Sequence, residues 1–195
     1  SRAHLKELKA LADRYHLRVQ MDGARFANSV AELGLPPKEL SWKCGVDVLC
    51  LGGTKNGLAV GDAVIFFNKG LAEDFDYRCK QAGQLASKMR FLAAPWVGLL
   101  QNDTWLKKAR HANECARLLE EKLQGLPGVT QLFPREANSL FLKLSQRIKD
   151  GLQKRGWHFY TFIGAGGARF MCSWDTTRES LEGLVQDFRE LAAEG

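Results

Sequence analysis

Four residues of the 195-residue sequence have types and settings that suit chemistry: Asp22, Arg25, Lys55 and Arg169. Lys55 lies in Gly52-Gly53-Thr54-Lys55-Asn56-Gly57, directly after the apolar run Val46 to Leu51. An amine close to apolar walls loses its proton more readily than a solvated one, because desolvation disfavours the ammonium, and such lysines form Schiff bases with carbonyl compounds. The other reading of Lys55 is a loop lysine in water. The turn is not a phosphate loop, since the order G-x-x-x-x-G-K-[ST] is absent. Asp22 ends the run Leu17 to Met21 and precedes Gly23. A carboxylate there suits a protonated ligand nitrogen, or it caps a helix that begins at Ala24. Arg25, three residues on, offers a planar guanidinium that can hold a carboxylate through two parallel hydrogen bonds. Arg169 stands near the start of Ala168 to Trp174 and shares a face with Met171 and Ser173. The preceding Gly164-Ala165-Gly166-Gly167 admits close backbone approach, which favours a site over an exposed edge position.

These side chains need elements to aim them. Leu17 to Met21 and Val46 to Leu51 read as buried strands that deliver charge at their carboxyl ends, the edge where open α/β sheets bind ligands. Apolar residues at helical spacing predict a helix over Leu5 to Tyr15 and another from Ala24 to Leu33, stopped by Gly34 and Pro36-Pro37. Ala63 to Phe67 is a third strand. The connection from Lys55 is too short for a helical crossover, so this strand is expected antiparallel to the second. Leu71 to Leu92 reads as helical and basic, with a break near Gln81-Ala82-Gly83 and an interruption at Pro95. A long helix, Trp105 to Leu123, follows Asn102-Asp103-Thr104 and bridges to a second unit. That unit reads as strand (Val129 to Phe133), strand (Ser139 to Leu144), helix (Ile148 to Arg155), strand (Trp157 to Tyr160), strand (Ala168 to Trp174) and a last helix opened by the capping box Thr176-Thr177-Arg178-Glu179. It is a small α/β domain with a mainly antiparallel sheet.

Composition narrows the function classes. A hydrophobic content of 45% supports a packed core, and no apolar run is long enough to span a membrane. The net charge of +6 is spread over helices with interleaved acids, so it reads as a solvated surface, with no nucleic-acid partner. Five cysteines without a C-x-x-C pair point to reduced thiols in a cytoplasmic protein and to no metal site. The start at Ser1 reads as the middle of a helix in something longer.

Taken together, Met21-Asp22-Gly23-Ala24-Arg25-Phe26-Ala27-Asn28 and Leu51-Gly52-Gly53-Thr54-Lys55-Asn56-Gly57 resemble the low-specificity, pyridoxal-phosphate-dependent threonine aldolases, and among them the phenylserine aldolase-like branch. The likeness runs on through Tyr77 to Arg90 and through Arg169 to Thr176. The resemblance implies an α/β fold of type I, aspartate-aminotransferase-like. Residues 1–103 would be the carboxyl-terminal part of the cofactor-binding large domain, with a mainly parallel sheet, and residues 104–195, connecting helix included, the small domain. It implies cleavage of a β-hydroxy-α-amino acid to glycine and an aldehyde, in a homodimer or homotetramer. Lys55 would hold pyridoxal 5'-phosphate as a Schiff base with Thr54 beside it, and Asp22 would pair with the ring nitrogen. Arg25 would lie near the cofactor oxygen and the substrate carboxylate. Arg169 would be a second carboxylate clamp. Arg90, with Lys88 or Lys80, would reach the phosphate, often across a subunit interface. The family's usual His before Met-Asp-Gly is Gln20 here, and the family's amino-terminal half, with its Gly-rich phosphate loop and ring-stacking His, has no counterpart in this sequence. A β-eliminating lyase of the same fold, or a non-catalytic fragment serving at most for association, are the alternatives.

Overall fold

The computed structural model describes residues 1–162 and 166–193. The chain forms two compact units, Ser1–Lys107 and Lys108–Gly195.

In the first unit, helix α1 (Arg2–Arg14) opens with Ser1, whose side chain accepts a hydrogen bond from the His4 N–H. It leads into strand β1 (Gln20–Gly23), then α2 (Phe26–Leu33), which ends at Gly34 with φ 61°. Only glycine takes that left-handed position without a steric penalty, so the helix stops where the sequence places it. Strands β2 (Val48–Gly52) and β3 (Asp62–Phe66) complete a sheet of order β1-β2-β3. β1 runs parallel to β2, and β3 runs antiparallel to it, as the short connection requires. Over these three strands the expected mainly parallel sheet is therefore mixed. The sheet packs with α2 around Phe26, Val30, Leu40, Val46 and Leu49.

The polar side chain that ties these strands together is Asp47. Its Oδ2 accepts from the Val19 N–H at 2.9 Å and its Oδ1 from the Asn68 side-chain amide at 3.3 Å. Its backbone N–H donates to the Val19 carbonyl, and its own carbonyl accepts from Phe67 and Asn68. Burial pushes the Asp47 carboxyl up, but the Val19 N–H, Asn68, Lys9 and Arg18 together outweigh it and hold it below the ordinary range.

Helices α3 (Phe75–Gln81) and α4 (Arg90–Leu100) flank an exposed connection. Pro95 sits inside α4 and does not interrupt it. A proline forfeits one helical N–H, but its fixed φ is itself helical. α4 ends instead where Gln101 turns extended, at ψ 143°. Next comes α5 (Thr104–Leu123), within which the division between the units falls.

The second unit carries β4 (Val129–Gln131), β5 (Ser139–Leu144), α6 (Gln146–Lys154), β6 (Tyr160–Phe162), β7 (Gly167–Met171) and α7 (Arg178–Ala193). The sheet order is β4-β5-β7-β6, antiparallel throughout. Alternation sends Leu140, Leu142, Leu144, Ala168 and Phe170 to one face, where they form the core with residues of α5, α6 and α7. Burying each such leucine fully is worth about 1.5–3 kcal/mol, so this face dominates the unit's stability. The opposite face carries Ser139, Phe141, Arg169 and Met171, all partly exposed.

β6 starts three residues later than its sequence suggests, because Trp157 is used elsewhere. Its N–H closes α6 onto the Leu152 carbonyl, and its indole donates to Asp187 at 2.6 Å. Arg155 pairs with the same carboxylate and with Glu190. Burial raises the Asp187 carboxyl, yet Trp157 and Arg155 outweigh it and leave it low. The α7 cap also sits one residue on from the expected box: Thr177 Oγ1 accepts from the Ser180 N–H at 3.1 Å, and Thr176 Oγ1 from the Ser173 N–H. All five cysteines are free. Burial, with a smaller push from Cys115, lifts the Cys172 thiol to about 12, which makes it a poor nucleophile. Among the described residues no helix is long and apolar enough to cross a membrane.

Candidate active site

Parallel pairing of β1 and β2 sets Asp22 opposite Cys50 and Gly23 opposite Leu51, so both strands leave the sheet at one edge. The two turns there touch because they lack side chains. A Cβ on Gly52 would lie 2.8 Å from the Ala24 Cα, and one on Gly23 would lie 2.6 Å from the Cys50 carbonyl oxygen. Asp22 is exposed, and its Oδ1 accepts from the Ala24 N–H at 3.0 Å. This contact is a local Asx turn, which fixes the carboxylate against the backbone. Asp22 is thus not the helix cap that its position allowed: α2 begins at Phe26 with Arg25 in the cap position.

The lysine turn is built the same way. Thr54–Asn56 form one turn of 3-10 helix closed by Gly57 at φ 99°. Asn56 is buried and donates to the Trp105 carbonyl at 2.9 Å, while Gly53 is covered by Leu58 and Trp96. With Asn56 pointing in, Thr54 and Lys55 point out and are exposed. The apolar walls expected around Lys55 lie behind the turn, against Gly53, and not around the amine. Asn56 and Trp96 are the two supports that the sequence did not single out. A polar residue next to the lysine in a glycine-framed turn was the available signal for Asn56, whereas nothing local marked Trp96.

Asp22 and half-buried Arg25 line a cleft of about 350 Å³ with Met21, Phe26, His4 and Leu5; Lys55 is not among its lining residues. Arg90 is the first residue of α4 and is exposed, its guanidinium carbon 5.6 Å from the Phe91 ring centroid. Lys80 lies in the last turn of α3, and Lys88 has φ 60° in the connection between the helices.

In the second unit, Arg169 lies on β7 between Phe141 of β5 and Tyr160 of β6. Its guanidinium carbon is 5.2 Å from the Tyr160 ring centroid, and its Nε is buried with no hydrogen-bond partner among the described residues. Gly164 and Ala165 of the preceding glycine run fall outside the described residues. Tyr160 was not singled out in the sequence, because its importance comes from cross-strand register.

The chain is 64% identical to the low specificity L-threonine aldolase of Pseudomonas aeruginosa over 95% of its own length and 54% of that protein. It is 60% identical to the corresponding enzyme of a Pseudomonas species, with the same coverage. It thus spans about half the length of these curated relatives. The solved threonine aldolase of Leishmania major superposes with a TM-score of 0.87 at 24% identity, covering 98% of this chain and 56% of that one, a likeness of fold. The fold is therefore α/β, of the type of that solved threonine aldolase. Residues 1–147 match the sequence profile described as beta-eliminating lyase, and the chain belongs to that family.

Proposed function

We propose that this chain is part of a pyridoxal-phosphate-dependent lyase that cleaves a β-hydroxy-α-amino acid of the threonine, allo-threonine or phenylserine type to glycine and an aldehyde. The observation that carries this reading is the pairing of an acid and a lysine at neighbouring ends of two parallel strands, in a chain 64% identical to a threonine aldolase. The donor set suits the cofactor. Asp22, held by the Ala24 N–H, offers a fixed acceptor to a protonated ring nitrogen, and Lys55 offers an exposed primary amine to the aldehyde. When bound, pyridoxal phosphate supplies an electron sink for the pair released as the Cα–Cβ bond breaks. Lys55 would hold the cofactor through its amine, with Thr54 beside it. Arg25 and Arg169 hold carboxylate through their N–H groups, and Arg90, with Lys88 or Lys80, offers positive charge to phosphate.

Residues 1–103 serve as the carboxyl-terminal part of the cofactor-binding domain, and residues 104–195 as the small domain. The protein works in the cytoplasm as a homodimer or homotetramer. Exposed Tyr77, Leu85, Met89 and Phe91 beside the basic residues support that association. A β-elimination reading is favoured by the family's description alone.

The test is to add pyridoxal phosphate, reduce with borohydride and map the label. Label on Lys55, with glycine and acetaldehyde released from threonine, is the expected result. Pyruvate and ammonia as products support elimination instead, and no specific label supports the fragment reading.

A further inference from the structure

Among the described residues Arg169 forms no ion pair with an acid. Its cross-strand neighbours are both aromatic: Phe141 on one side, packed edge-on against Phe133 at 5.8 Å, and Tyr160 on the other. Tyr160 is 71% exposed, so it is not on this face to fill a core. The aromatic residues that do fill the core lie on the opposite face, where Phe170 stacks on Phe159 at 4.8 Å and meets Phe188 edge-on at 5.4 Å. A guanidinium can meet an aromatic ring with its face and a hydrogen-bond acceptor with its edge, and among the described residues no acceptor meets the edge of Arg169. That edge includes the buried, unpartnered Nε. A buried donor without an acceptor is costly, and since Nε is enclosed a carboxylate from solvent meets this edge at its terminal nitrogens.

We propose that Tyr160 is a positioning residue for Arg169: its ring, in place of a hydrogen-bonding side chain, holds the guanidinium on the open face of the second sheet, with the N–H edge kept for a ligand carboxylate. The inference rests on Arg169 being a carboxylate-binding residue, as read above, and adds the residue that sets its orientation.

The experiment compares glycine with methylamine, which carries an amine but no carboxylate, by titrating the pyridoxal-phosphate-loaded protein and following cofactor absorbance. Tyr160→Leu is expected to weaken glycine binding about fivefold, the equivalent of one cation–π contact, and to leave methylamine unchanged. Tyr160→Phe, which keeps the ring, restores the parent's glycine-to-methylamine ratio. In an Arg169→Gln background, Tyr160→Leu adds nothing further. Equal weakening of both ligands by Tyr160→Leu points to a merely structural role and overturns the proposal. An unchanged ratio in Tyr160→Leu, when Arg169→Gln does lower it, overturns the role of Tyr160 alone. An unchanged ratio in Arg169→Gln overturns the reading of Arg169 and the proposal with it. The contact is also read without cofactor, by NMR. The Arg169 Nε–H resonance should carry a ring-current shift in the parent and in Tyr160→Phe that vanishes in Tyr160→Leu, and its absence from the parent overturns the proposal.

Discussion

The second unit is held by apolar burial, the first far more by polar clamps. Around the second sheet, Ile148, Leu152, Ala168 and Phe188 are wholly buried under three helices that share one face. In the first unit the buried cluster is small, and Leu8, Leu11, Tyr15, Phe91 and Val97 stand more than half exposed. What fixes the strand ends there is hydrogen bonding: Asp47 at the start of β2, the Asx turn of Asp22, and Asn56 on the Trp105 carbonyl. Oriented polar contacts aim a carboxylate and an amine more sharply than a non-directional apolar core does. The same contacts add little net free energy apiece, about 1 kcal/mol.

Four substitutions test this contrast. Phe188→Ala should cost about 3–5 kcal/mol in chemical denaturation, since it empties a site with no solvent exposure beside Phe170. A smaller loss than for any first-unit variant below would break the comparison. Gly52→Ala should cost about 2 kcal/mol, because its Cβ meets the Ala24 backbone, which cannot swing aside as a side chain tip can. Hydrogen exchange should then rise in β1 and β2 and stay at parent level in β5 and β7.

Asp47→Ala should cost about 1.5 kcal/mol by leaving the Val19 N–H without its acceptor. Asp47 also has a pH signature. Its carboxyl is lower in the folded state than the ordinary value of about 3.9, so its stabilisation is complete above that value and is lost as pH falls through the folded one. Acid titration of the variant should therefore show a flatter loss below about pH 4 than the parent does. Asp187, also held low, keeps the second unit's acid response in both proteins. Least of all, Thr177→Ala should cost about 1 kcal/mol, the worth of one helix cap, with a correspondingly small drop in melting temperature.

Much of this was legible in the sequence wherever one residue decides the outcome. Gly34 ends α2, and the short span after Lys55 makes β3 antiparallel. Legibility failed where the deciding partner is distant. Trp157 reads as a strand residue by its type, yet Leu152 and Asp187 draw it onto the helices and push β6 along. Pro95 reads as a stop, yet α4 continues through it. The setting of Lys55 depends on which way a single 3-10 turn faces, and that is decided by Asn56 reaching Trp105, a residue 49 positions away. The orphaned Nε of Arg169 depends on a register between β6 and β7 that no local pattern encodes.

Among the described residues the strand order leaves β1 at the margin of its sheet, and for this chain taken by itself that has a practical side. A margin strand offers its spare backbone groups to any other strand, including a second copy of itself. β1 is only four residues long, and copies stacked in register would set Asp22 against Asp22, a like-charge contact that discourages such stacking. In this chain the Asp22 carboxylate therefore disfavours such self-pairing. Asp22→Asn, which removes that charge, should turn cloudy sooner on concentration. Light scattering belongs beside any activity measurement made on it.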